Sequence, residues 1–191
     1  YYVYQLTATV GFITPIFTLF VRSRGLLWSE VATLSAILWV VVTLGEVPTG
    51  YVGDRIGRRN SLVASTALMV GSLLGFVLTR SFLAFAVLYA VWALGMTFKS
   101  GAESAWLYEV LDDRGLEAEF TRIRGRAGSI ERWAGVLAMV GGGFLFVLEP
   151  WLPFLVGGAW HALGIPLLLT LPRNDSDADE ADGSLGVSQS L

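Results

Sequence analysis

Six apolar runs, cut only by short charged or Pro/Gly-bearing connectors, constrain this chain more than any other feature. They cover approximately residues 1–21, 29–52, 61–79, 82–107, 127–148 and 151–171. A helix needs about 20 consecutive apolar residues to cross a bilayer, whereas a barrel strand needs about ten. Runs of this length therefore predict membrane-crossing helices, which satisfy their own backbone hydrogen bonds in lipid. Composition agrees: 15% of the residues are charged, against about 25% in soluble domains. Six spans use up almost all of the 191 residues and leave no room for a soluble catalytic domain of ordinary size. The expected organisation is an all-α membrane bundle of six transmembrane helices over residues 1–172. An acidic tail, 173–191, is expected to be a disordered cytoplasmic linker.

Arginines set the expected orientation. Arg55, Arg58, Arg59, Arg114, Arg122, Arg124, Arg126 and Arg173 fall on one side of the spans, and Arg22, Arg24 and Arg80 on the other. By the positive-inside rule the first group is cytoplasmic. The N-terminus and tail are then cytoplasmic too, in a multi-pass protein of the cell membrane. Trp28, Tyr51, Tyr108 and Trp151 lie near span ends, where amphipathic rings settle at the interface, while Trp39 and Trp92 read as core packing. Five of the 16 acids fall in the last 17 residues, so the net charge of −3 hides a weakly basic body. No concentrated basic face suggests a nucleic-acid partner. The chain has no cysteine and one histidine, which excludes thiol chemistry and multi-histidine metal sites. No cofactor is expected. It opens Tyr1-Tyr2-Val3 without the basic stretch of a signal peptide, and is expected to be a fragment or a processed chain.

The most informative segment is Glu46-Val-Pro48-Thr-Gly50-Tyr-Val-Gly53-Asp54-Arg55-Ile-Gly57-Arg58-Arg59, between the second and third runs. Gly50 and Gly53 permit close helix approach, and Gly57 permits backbone conformations closed to other residues. Asp54 stands among three arginines, where ion pairs can form and break. The pattern Gly50-x-x-x-Asp54-Arg55-x-Gly57-Arg58-Arg59 resembles the signature loop of the major facilitator superfamily. A second stretch, Ser100-Gly101-Ala-Glu103-Ser-Ala105-Trp-Leu-Tyr108-Glu109-Val-Leu111, resembles a pattern closing the fourth span in one subset of it, with Glu109 where Asp is usual.

The resemblance implies one six-helix bundle of a two-bundle carrier, built from two inverted three-helix repeats, with the C-terminal bundle missing. It implies alternating access, a small-molecule substrate held near mid-membrane between the bundles, and a proton as candidate coupling ion. It also implies that Gly50, Asp54, Arg55, Gly57, Arg58, Arg59 and Glu109 form a conformational latch. The plain alternative for the arginines is anchoring of a cytoplasmic loop.

Ionisable residues within spans are costly and usually face a cavity or a partner. Lys99 and Glu103, four apart, can pair on one helix face; they read as a structural ion pair or as a substrate or coupling site. Glu46, two turns deeper than Asp54, belongs to the latch network or titrates by itself. Glu131 and Arg132, neighbours within the fifth span that do not face each other, are further candidates, and Arg132 is expected to reach toward Glu103 or Glu109. Gln5, Thr7 and Thr9 hydrogen-bond either substrate or neighbouring helices, and His161 reads as a packed, neutral histidine. Gly141-Gly142-Gly143, with no proline nearby in its span, reads as a close-packing face.

Other classes fit less well. A permease subunit of an ATP-driven transporter would need a docking pattern that Leu116-Glu-Ala-Glu119 matches poorly, and no phosphate-binding loop is present. A membrane enzyme would need an extended aspartate motif, or Gly-x-Ser-Gly; Asp112-Asp113-Arg-Gly and Phe98-Lys99-Ser100-Gly101 supply neither. A half-bundle that does not transport by itself is the remaining alternative.

Overall fold

The computed structural model describes residues 1–172, and the expected acidic tail lies outside the described residues. Eight α-helices follow in chain order: α1 (Tyr2–Thr7), α2 (Phe17–Ser23), α3 (Trp28–Ile56), α4 (Arg58–Leu78), α5 (Phe82–Asp112), α6 (Phe120–Leu148), α7 (Leu152–Ala162) and α8 (Gly164–Leu169). A 3₁₀ turn, Glu117–Glu119, leads into α6. Among the described residues five stretches are long and apolar enough to cross a membrane: α3, α4, α5, the turn with α6, and α7 with α8.

The first run departs from the single helix predicted over 1–21. It forms two short helices, α1 and α2, joined by turns through residues 8–16. The joining segment carries Gly11 and Pro15 and is rich in β-branched residues. Proline lacks the N–H that a helix needs and biases its predecessor, here Thr14, away from helical geometry. Packing reinforces the break. A Cβ on Gly11 would collide with the backbone oxygen of Gly135, and one on Gly142 with the backbone of Phe12. The unwound segment thus lies directly against the α6 backbone. Of the glycine triplet, Gly142 makes this close approach, while Gly143 faces open space.

Helices α3, α5 and α6 outrun their apolar stretches, because their polar ends remain helical. The charged connector expected over 108–126 shrinks accordingly to a turn after Asp112 and the 3₁₀ turn. Gly115, at φ +64°, closes α5, and the Leu116 N–H bonds back to the Leu111 carbonyl at 2.8 Å. Ser81 caps α5 by accepting from the Ala84 N–H at 3.2 Å, and Glu30 accepts from the Leu27 N–H at 2.7 Å ahead of α3. Pro48 lies inside α3, and beside it the Thr49 hydroxyl donates to the Gly45 carbonyl at 2.7 Å.

Helix α5 packs along α3 and α4, and α7 along α4. Small residues set the closeness: the Ser65 hydroxyl donates to the Gly95 carbonyl at 2.6 Å. Two apolar clusters result. At one end Phe20 and Phe154 approach to 4.1 Å between centroids, with Phe76 and Phe85 beside them. At the other, Trp106, Leu62 and Leu168 gather around Tyr4. Trp92 is buried, as expected of a core residue, but Trp39 is 63% exposed on the outer face of α3. That face lacks a neighbour among the described residues, so packing inside this chain does not account for Trp39. Trp28, Tyr51, Tyr108 and Trp151 are all exposed near helix ends.

Candidate functional site

Two groups of charges stand out, one at the arginine-rich end of the bundle and one in its interior.

At the arginine-rich end a single residue, Gly57, joins α3 to α4 with φ 84° and ψ 152°. This region is essentially open only to glycine. Asp54, in the last turn of α3, and Arg58, in the first turn of α4, each have the unfavourable sign for their helix dipole. They meet across Gly57 at 2.5 Å, and Arg58 Nε also lies 3.4 Å from Glu109 on α5. The structure therefore brings together three of the expected latch residues. Arg59 turns elsewhere and donates to the Leu169 and Leu171 carbonyls at 3.4 and 3.2 Å, at the C-terminal end of α8. Arg55 covers the Tyr51 ring at 4.3 Å. Gly53 makes the close approach foreseen for it, with Ser61 Oγ 3.1 Å from where a Cβ would stand, whereas Gly50 faces open space.

The interior group centres on Glu103, 3% exposed on α5. One carboxylate oxygen accepts from Tyr1 Oη at 2.8 Å, from Arg124 Nη1 at 2.9 Å and from the Gln5 side-chain amide. Lys99 lies 3.9 Å from the other oxygen but bonds more closely to Glu131, at 2.5 Å. The expected Lys99–Glu103 pair is thus one edge of a larger network tying α5 to α1 and α6. Arg132 is exposed, and it is Arg124 that reaches Glu103, contrary to the expectation for Arg132. Two participants were not foreseen, Tyr1 and Arg124; Glu131 was a candidate, but its pairing with Lys99 was not expected. Arg124, Gly128 and Glu131 lie at positions i, i+4 and i+7 of one helix and share a face. That spacing could have tied Arg124 to Glu131, but Arg124 read as a loop charge while the span was expected to start at 127.

This group lines one end of a cleft of about 570 Å³. Its other end is apolar, with Phe17, Met69, Tyr89, Trp92 and Met96. A second groove of about 590 Å³, walled by Leu6, Ile130, Trp133, Leu137 and Trp160, contains no ionisable side chain. Gln5 is fully buried, and His161 is 3% exposed. Glu46 is exposed on α3.

An all-helical bundle with several membrane-length helices, matched by a family of membrane proteins, is a multi-pass membrane protein. The sequence model of the MFS_1 like family matches residues 1–146, and the chain belongs to that family, within the major facilitator superfamily. A curated relative, the uncharacterized MFS-type transporter YxaM of Bacillus subtilis (strain 168), is 21% identical over 95% of this chain and 46% of its own length. The chain thus spans about half the length of the relative it matches.

Proposed function

We propose that this chain is the N-terminal six-helix bundle of a secondary active transporter that moves a small organic solute by alternating access. The observation that carries the reading is the interior cleft. It places charged side chains from α5 and α6 beside an aromatic wall, in a protein whose surroundings are otherwise apolar. Buried charges in a membrane protein are expensive and mark solute or ion pathways. In this reading α1 and α2 together make the first crossing, as discontinuous helices do beside transport sites. The N-terminus and the tail face the cytoplasm of a cell membrane.

Glu46 favours a second bundle. It is exposed on α3, ten residues before the helix end at Ile56, roughly 15 Å along the axis. An acid at that depth facing lipid would be costly, so a partner surface covers it. The ion pair of Asp54 with Arg58 is half open to water, with side-chain exposures of 62% and 26%. Such pairs contribute about 0–1 kcal/mol. A contact this weak is suited to a latch that opens in each cycle. Glu103, surrounded by Tyr1, Gln5, Lys99 and Arg124, is the candidate for proton coupling. Glu103→Gln then abolishes the pH dependence of transport, and an unchanged pH profile removes that role.

The test of alternating access needs no known substrate. The chain contains no cysteine, so Ser100→Cys places a single thiol of this chain in the cleft. In the complete gene product reconstituted in vesicles, an impermeant maleimide should label it from either side. Labelling from one side only would defeat the proposal.

A further inference from the structure

We infer that the cleft takes a zwitterionic organic molecule with an apolar or aromatic side group, its anionic end at Lys99 and its cationic end at Glu131. The inference rests on the transport reading above and specifies the class of solute. Four charged side chains border the cleft: two acids and two bases. Two of them are already committed to each other. Glu103 is buried and accepts from Arg124, Tyr1 and Gln5. The other two, Lys99 and Glu131, pair mainly with each other at 2.5 Å, and their side chains retain 18% and 30% exposure. They are the pair that an incoming molecule can reach and part.

Parting an ion pair in a poorly solvated site strands both charges unless each is matched again. A solute with one positive charge matches Glu131 and leaves Lys99 only its 3.9 Å contact to Glu103. A solute with one negative charge matches Lys99 and strands Glu131. A zwitterion replaces one ion pair by two. The rest of the solute then lies against apolar side chains. The Phe17 and Tyr89 rings are stacked at 4.7 Å, and Trp92, Met69 and Met96 complete the wall. Methionines adapt to side groups of differing shape. The cleft's volume, about 570 Å³, lies within the usual range for small-molecule sites, about 300–1,000 Å³.

The test uses the complete gene product in nanodiscs and equilibrium binding of radiolabelled probes. L-Phenylalanine, L-tryptophan and L-leucine carry both charges; the amine and carboxylic acid analogues of each carry one. The expected result is at least one zwitterion bound tenfold or more tightly than both of its analogues. Lys99→Met combined with Glu131→Gln should abolish that preference. Equal or tighter binding of the single-charge analogues overturns the inference, as does failure of all three zwitterions to bind. Cysteine labelling at Ser100→Cys separates the two levels. Two-sided labelling with a failed binding result removes only the solute class, whereas one-sided labelling removes the transport reading as well.

Discussion

Glu103 shows how a single side chain organises this bundle. A carboxylate that is 3% exposed must be paired, and here the pairing draws on α1, α5 and α6 at once. Replacing Arg124 by methionine keeps an unbranched apolar stem but removes the charged donor. Hydrogen bonds to charged groups contribute about 1.5–3 kcal/mol, so Arg124→Met should lower the thermal unfolding midpoint in detergent by a loss of that order. Arg132→Met should leave it nearly unchanged, because Arg132 is exposed. Equal effects of the two would contradict the assignment of Arg124. Gly57 offers a backbone counterpart. With φ 84° and ψ 152°, Gly57→Ala should cost about 1–3 kcal/mol through strain alone, measured by the same unfolding midpoint. Gly57 was visible from its place in the motif, and Lys99 and Glu103 from their spacing. Glu131 was visible as a charge within a span, but Arg124 was not, because a charge near a span boundary reads equally well as loop anchor or interior ligand.

Among the elements, the first apolar run is the most instructive. Hydropathy reports only that residues 1–21 prefer lipid, and that preference is the same for a continuous helix and for two short ones. The choice between them is made by Pro15 and by how closely Gly11 and Phe12 lie on α6. This contact yields a paired prediction. Gly142→Leu should push the Phe12 segment away and sharply reduce folded yield or melting temperature. Gly143→Leu, one residue on but facing open space, should be tolerated. Similar losses from both substitutions would show that α6 does not pack as described. The connector before α6 makes a related point. Its charge density read as a loop, yet helices α5 and α6 extend into it, since arginine and glutamate are themselves good helix formers and water accepts their heads.

At the level of the whole molecule, α3 and α6 lie at the rim. Only 11% and 17% of their apolar windows are buried, against 44% for α4. The exposed face of α3 carries Trp39, Glu46 and Asp54. Under the two-bundle proposal, Asp54→Asn in the complete gene product should shift the balance of two-sided labelling at Ser100→Cys while leaving membrane insertion intact. Wild-type labelling would remove Asp54 from the latch. Arg58 and Glu109 join Asp54 in one network, while Arg55 and Arg59 contact Tyr51 and the end of α8. Adjacency in the motif therefore gave no sign that Arg58, and not Arg55 or Arg59, would join that network.

What the sequence by itself determined is what depends on local physics. Apolar run length set the helical membrane class, the glycine–arginine pattern identified the superfamily, and the φ-permissive Gly57 marked a turn between the second and third runs, though not that it would join the two helices alone. What only the tertiary structure decided depends on neighbours far apart in the chain. Glu103 meets Tyr1 across 102 residues, and Lys99 prefers Glu131 over the acid one turn away on its own helix. Helix periodicity says which face a charge occupies, but it carries no information about which other helix that face meets.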